Sequence, residues 1–93
     1  MTLTLLTRAY CHLCEEMLAA VRPIADLHEA TIDVVDIDAD PALEAAYGEL
    51  VPVLFAGVPA TGEELSRYRL DYARVLEALG RSPANADRSR AIG

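Results

Sequence analysis

The only two cysteines of the chain lie close together, at Cys11 and Cys14 in the stretch "AYCHLCEE". Two thiols at this spacing can form a reversible disulfide, supply half of a metal site, or serve as two small apolar residues. In disulfide exchange the attacking species is the thiolate, so any feature that favours the thiolate makes a cysteine more reactive. The elements around the pair therefore bear on which role it has.

Cys11 is predicted to lie where a strand ends and a helix begins. Thr2–Thr7 alternates Thr and Leu as a strand does, and from His12 onward apolar residues recur at helical steps. A helix N-terminus presents unpaired N–H groups and a positive dipole end, both of which stabilise a thiolate. We therefore predict that Cys11 attacks a disulfide. Cys14, about one helical turn further and beside the apolar stripe, then resolves the mixed disulfide.

His12 separates the two cysteines and has two interpretations. A partial positive charge on its imidazole would favour the Cys11 thiolate, whereas Glu15 and Glu16 in the same turn act in the opposite sense. The alternative is an exposed residue at a helix start with no chemical role. The sequence leaves both interpretations open, and His12 is also a candidate substrate-binding residue.

A metal site within one chain is not expected. Tetrahedral zinc needs about four ligands, whereas the chain offers two cysteines and two histidines. The second histidine, His28, would lie about 20 Å along the helix at about 1.5 Å per residue. A zinc site shared between two chains and a pair of buried apolar cysteines both stay open.

Composition limits the partners and the compartment. The chain has 93 residues, of which 53% are hydrophobic, and a net charge of −7. Its basic residues form no stripe, so we expect neither nucleic acid nor an anionic membrane as a partner. No leader or membrane-length apolar run is apparent, so we expect the reducing cytoplasm as the compartment. We also expect the protein to be a monomer. There a close dithiol is more often catalytic or metal-bound than structural.

The middle of the chain is predicted to form a strand and a short helix. Residues 31–38 are rich in β-branched side chains and carry three aspartates, which is typical of an edge strand. The following helix begins after Asp40, whose side chain can cap it, has Pro41 in its first turn, and ends at Gly48.

The last third is predicted to form two strands and a helix. Residues 51–57 are apolar and read as a buried strand, and residues 62–69 as a weaker, more polar one. Asp71 is expected to cap the final helix, which ends at Gly80. In that helix the expected core residues are Val75, Leu76 and Leu79.

The predicted order is β-α-β-α-β-β-α in a single domain over residues 1–80, with a flexible polar tail over 81–93. Each connection that contains a helix favours a parallel crossover, and the short link between the last two strands favours an antiparallel hairpin. The expected fold class is α/β, with a four-stranded mixed sheet flanked by helices on both faces.

A second motif is Val51-Pro52, at the start of the third strand. A proline there donates no ladder hydrogen bond, which indicates a special peptide bond. With Cys11 and Cys14 opening the first helix, the chain resembles the thioredoxin superfamily over residues 2–80, and most closely small glutaredoxin-like proteins. The resemblance implies a thioredoxin-like fold and a cis Val51–Pro52 bond against the dithiol. It also implies that the backbone of Val51 pairs with substrate.

The resemblance also implies a role for Arg8, which matches a family lysine that binds the carboxylate of glutathione. The alternative is a solvated strand end. This chain departs from the glutaredoxin pattern at three places: "CHLC" replaces C-P-Y-C, Leu50 replaces a threonine, and "SRYRLD" replaces a Gly-Gly-Asp stretch. We therefore expect glutathione to be recognised weakly.

These observations predict a glutaredoxin-like thiol–disulfide oxidoreductase that contributes to cell redox homeostasis. The expected substrate is a disulfide-containing protein or a small thiol compound. No bound cofactor or metal is expected, and glutathione or another small thiol is the expected electron donor. Two alternatives are a non-catalytic thioredoxin-fold binding module and an iron–sulfur carrier bridged between two chains through Cys11.

Overall fold

A computed structural model describes residues 1–80 and shows the predicted order of elements. The tail predicted over residues 81–93 lies outside the described residues. The strands are β1 (Thr2–Thr7), β2 (Thr31–Asp36), β3 (Val53–Ala56) and β4 (Glu63–Arg67). The helices are α1 (His12–Leu27), α2 (Pro41–Tyr47) and α3 (Tyr72–Gly80), with a 3-10 turn at Ile37–Ala39. None of the helices in residues 1–80 is long and apolar enough to cross a bilayer.

The four strands form one mixed sheet in the order β2-β1-β3-β4. Strands β1 and β2 are parallel, while β3 is antiparallel to both β1 and β4. The predicted mixed sheet, the edge position of β2 and the final hairpin are confirmed. β2 is two residues shorter than predicted, because the chain turns at Ile37 and the Asp36 carboxylate accepts the N–H of Asp38 at 2.9 Å.

The second parallel crossover expected from the sequence is wrong, because β3 runs opposite to β2. The reason is the length of α2, whose seven residues span about 10 Å at about 1.5 Å per residue. Strand β2 has six residues and spans about 20 Å at about 3.3 Å per residue. The connection is too short to return the chain to the end of the sheet at which β1 and β2 begin. As a result β3 begins at the end where β1 and β2 finish, and Pro52 lies at the same end as Cys11.

Helices cover both faces of the sheet, as predicted. Side chains alternate between the faces along each strand, so Leu5 and Leu54 lie on one face and Leu6 and Val53 on the other. One core cluster joins the first face to α1 and α3. A second cluster joins the other face to α2 and includes Cys14.

Helix α3 corrects one predicted core residue. Val75 and Leu79 are buried, but Leu76 is 47% exposed. Consecutive residues lie about 100° apart around a helix, so the stripe through Val75 and Leu79 is completed by Ala78, and Leu76 points to solvent. The predicted cap is confirmed, because the Asp71 carboxylate accepts the backbone N–H of Arg74 at 3.1 Å.

Candidate functional site

A disulfide joins Cys11 and Cys14 across the first turn of α1, with their Cα atoms 5.2 Å apart. Cys11 is the N-cap residue and has an extended backbone at φ −102° and ψ 105°. Its Sγ also accepts the backbone N–H of Cys14 at 3.2 Å. A donor that the helix leaves unpaired is thus aimed at the Cys11 sulfur, where it would stabilise a thiolate in the reduced protein.

The two cysteines differ in exposure. Cys14 is 3% exposed and packs in the cluster that contains Leu6, Val51 and Phe55. Cys11 is half-buried at the edge of the same cluster. An incoming sulfur therefore reaches Cys11 more easily than Cys14. This is the arrangement expected for an attacker and a sheltered resolver, although the two chemical roles stay predictions.

The Val51–Pro52 peptide bond is cis. Both side chains are buried, and Val51 belongs to the same cluster as Cys14. The carbonyl of Pro52 accepts the N–H of Tyr68 at 2.9 Å, which ties this segment to β4. Within residues 1–80, the backbone N–H and C=O of Val51 have no hydrogen bond to protein. Pairing of these groups with a substrate stays a prediction.

Arg8 lies just after β1, and three groups hold its guanidinium. Nη2 lies 2.6 Å from Asp38 Oδ1 and Nε 3.4 Å from Asp38 Oδ2, so the two side chains meet as a fork. Nη1 donates to the carbonyl of Gly48 at 2.6 Å, and the Glu44 carboxylate lies 3.6 Å from Nη2. The hydrogen bond from Arg8 lowers the pKa of the Asp38 carboxyl. The predicted contact of Arg8 with a substrate carboxylate stays a prediction.

His12 is exposed at the start of α1, and its Nε2 lies 3.3 Å from Glu16 Oε1 one turn further along. Its contact is with this carboxylate, and a role toward Cys11 or a substrate stays a prediction. Throughout the described part of the chain, no group of three or more His, Cys, Asp or Glu is placed to hold a metal ion.

A groove of about 280 Å³ opens between α1 and the segment that joins β4 to α3. Leu13, which lies between the two cysteines, and Met17 line it from α1. Tyr68, Arg69 and Tyr72 line it from the opposite side. The groove combines apolar surface and two phenol rings with one guanidinium and the carboxylate of Glu16.

Residues 2–80 match the family model described as "Glutaredoxin-like domain (DUF836)". The chain belongs to this family. The match spans every helix and strand of the described residues 1–80 and includes both the dithiol and Val51-Pro52. No curated protein sequence matches the chain.

Solved structures of other proteins are similar to this chain. The X-ray structure of protein XcR50 from X. campestris is 37% identical, covers 87% of this chain and 99% of that chain, and has a TM-score of 0.64. The solution structure of protein Ne2328 from Nitrosomonas europaea is 36% identical, covers 82% and 87%, and has a TM-score of 0.70. Thioredoxin 1 from Thermosipho africanus is 21% identical, covers 87% and 92%, and has a TM-score of 0.61. The last likeness supports the fold alone, and it confirms the predicted thioredoxin-like fold.

Two tyrosines near the candidate site of this glutaredoxin-like domain were not singled out from the sequence. Tyr10 and Tyr68 have left-handed backbones at φ 59° and 67°, which residues other than glycine rarely adopt. Tyr10 directly precedes Cys11 and is fully exposed, and the Tyr68 hydroxyl donates to the carbonyl of Glu49 at 3.3 Å. Both lie outside helices and strands, where periodicity carries no signal. Only their closeness in sequence to a motif could have drawn notice.

Replacing Asp38 with asparagine should change the acid response of the glutaredoxin-like domain. The fork with Arg8 holds the pKa of Asp38 below its usual value of 3.8. A carboxyl whose pKa is lower in the folded than in the unfolded state stabilises the fold at pH values above its unfolded-state pKa. This stabilisation is lost as the pH falls through the folded-state pKa. Urea unfolding should therefore show wild type more stable than Asp38→Asn near neutral pH, with a gap that shrinks below about pH 4. A gap that stays constant into acid would contradict the ion pair with Arg8.

Proposed function

We propose that this glutaredoxin-like domain is a thiol–disulfide oxidoreductase that acts through Cys11 and Cys14. The observation that carries the proposal is the placement of the pair. Cys11 is half-exposed and caps α1, where it accepts the N–H of Cys14, and Cys14 is buried behind it. A non-catalytic scaffold does not require one half-exposed and one buried cysteine at the start of a helix.

Reduction of a substrate proceeds in two exchanges. The Cys11 thiolate attacks one sulfur of the substrate disulfide, that bond breaks, and the released thiolate takes up a proton from solvent. Cys14 then loses its proton, and its thiolate attacks the Cys11 sulfur of the mixed disulfide. The Cys11–Cys14 bond forms, the second substrate sulfur leaves as a thiolate, and two electrons have passed to the substrate. Two donor thiols return the protein to its dithiol form and become a disulfide.

Val51 is the proposed docking point for the substrate backbone. Its N–H and C=O have no hydrogen bond to protein within residues 1–80, and its side chain packs with Cys14. A substrate strand paired with these groups would lie along the dithiol. Main-chain pairing of this kind accepts many sequences, because the side chains do not take part.

The proposed substrate is a disulfide-containing protein or a small disulfide, and the proposed electron donor is a small thiol in the cytoplasm. Glutathione is proposed as a weakly bound donor. Arg67 is paired with Glu64. Arg69, the other arginine of "SRYRLD", lines the groove together with Glu16, and it is the cation of this stretch that we propose for contact with glutathione.

A redox titration tests the proposal. The protein is equilibrated with thiol–disulfide buffers over a range of potentials and then alkylated briefly at about pH 6. Mass spectrometry shows which cysteines are labelled. We expect the pair to open and close reversibly as a two-electron couple, with Cys11 labelled before Cys14 in the reduced protein.

Other outcomes point to the two alternatives. A pair that opens once and does not re-form, with equally slow labelling of both cysteines, would support the binding module. A visible absorbance band in freshly purified protein that Cys11→Ser removes would support the iron–sulfur carrier.

A further inference from the structure

We propose that Arg8 is a positioning residue, which fixes segment 48–52 relative to the dithiol and does not bind a substrate carboxylate. The inference rests on the proposed function, because it assigns how the substrate-docking residue Val51 is placed beside Cys11. It also replaces the role that the family resemblance implies for Arg8.

Each of the three nitrogens of the Arg8 guanidinium already has a partner within the chain. Nε and Nη2 face the two carboxylate oxygens of Asp38, which is the planar match that a guanidinium makes with a bound carboxylate. Nη1 is directed at the carbonyl of Gly48. A substrate carboxylate would have to displace Asp38, and it would meet the second carboxylate of Glu44 beside it. Like charges at this distance repel, so the site disfavours another anion.

The contacts of Arg8 lead directly to the docking segment. Arg8 lies three residues before Cys11, and its partner Gly48 lies four residues before Pro52. A chain of four residues reaches at most about 14 Å, so fixing the carbonyl of Gly48 limits where Val51 can lie.

A second set of contacts holds the same segment, from Tyr68 just after β4 and from Tyr47 at the end of α2. The Tyr68 hydroxyl donates to the carbonyl of Glu49, and the Tyr68 N–H donates to the carbonyl of Pro52. Leu50 donates its N–H to Tyr47 at 2.9 Å and packs against the cluster of Cys14. Arg8 adds a hydrogen bond between this segment and the chain just after β1, three residues before Cys11.

The test compares an anionic and a neutral disulfide as substrates. Exchange rates are measured with glutathione disulfide and with bis(2-hydroxyethyl) disulfide for wild type, Arg8→Ala, Arg8→Lys and Asp38→Ala. The control is Arg74→Ala, which removes another ion-paired arginine, 3.4 Å from Glu63. A positioning role predicts that all three test variants lose about tenfold or more in rate toward both substrates, because a misplacement of reacting groups by about 1 Å can cost up to about a hundredfold. The control should keep the wild-type rates.

A carboxylate ligand would give the opposite pattern for two of the variants. Arg8→Lys would keep activity with the anionic disulfide, since lysine retains the charge. Asp38→Ala would raise that activity, since it frees the guanidinium. Arg8→Ala would then slow only the anionic substrate. Any of these results would overturn the inference, and Arg8→Lys keeps the test usable if Arg8→Ala does not fold.

Hydrogen exchange separates this inference from the proposed function. Amides of the peptide that covers residues 48–52 should exchange several-fold faster in Arg8→Ala and Arg8→Lys than in wild type or Arg74→Ala. This readout needs no catalysis, so it decides the role of Arg8 even if the wild-type protein fails to exchange disulfides. Unchanged protection of residues 48–52 in both Arg8 variants would overturn the positioning role.

Discussion

Replacing Cys14 with serine should leave the protein covalently joined to its substrate through Cys11. Once Cys11 has attacked, the only other thiol in the chain is the one at Cys14. A serine hydroxyl does not ionise near neutral pH and cannot form the disulfide that would release the substrate. Intact-protein mass spectrometry without reductant should show the added mass of the substrate. A reductant should then remove it.

The matched control is Cys11→Ser, which keeps one thiol at Cys14. That thiol is 3% exposed and lies behind the helix start, so we expect at least about tenfold less adduct than with Cys14→Ser, because access limits exchange. Equal adduct from both variants would show that the attacker and the resolver have been assigned wrongly. Adduct from Cys11→Ser alone would reverse the two roles.

Replacing Leu79 with alanine should cost about 2–5 kcal/mol of the free energy of unfolding. Leu79 is 1% exposed and packs in the cluster that joins α3 to the sheet. Small domains have a total of about 5–15 kcal/mol, so this one change should move the urea midpoint strongly at an unchanged m-value.

Leu76→Ala removes the same side chain from the same helix and serves as the control. Leu76 is 47% exposed, so its loss should change the free energy of unfolding by no more than about 0.5 kcal/mol. Comparable losses from both variants would mean that α3 is rotated and that Leu76 packs in the core, as its sequence pattern first suggested.

Local chemistry made much of the fold predictable. Asp40 and Asp71 cap helices where expected, because a cap involves only residues two or three positions away. Strand alternation and the helical period gave the elements in the right order. The direction of β3 was missed, since it depends on whether α2 is long enough to cross the sheet. The orientation of Leu76 was missed because several neighbouring apolar residues fit a helical stripe.

The candidate site also has residues that the sequence indicates and contacts that it does not. Cys11, Cys14 and Val51-Pro52 could be proposed as site residues because each motif lies within a short stretch of the sequence. The partners of Arg8 were not found, since Asp38 and Gly48 lie 30 and 40 residues away and only the folded sheet brings them together. No pattern in a single sequence specifies which distant carboxylate a guanidinium will meet.

Strand β2 forms one edge of the sheet, and it carries the exposed carboxylates of Asp33 and Asp36. A second molecule that added its own β2 to this edge would bring like charges together across the new strand pair, which is unfavourable. The edge is thereby protected against the strand-by-strand growth that leads to fibrils. The protection depends on charge, so it weakens at high ionic strength, where screening removes the repulsion.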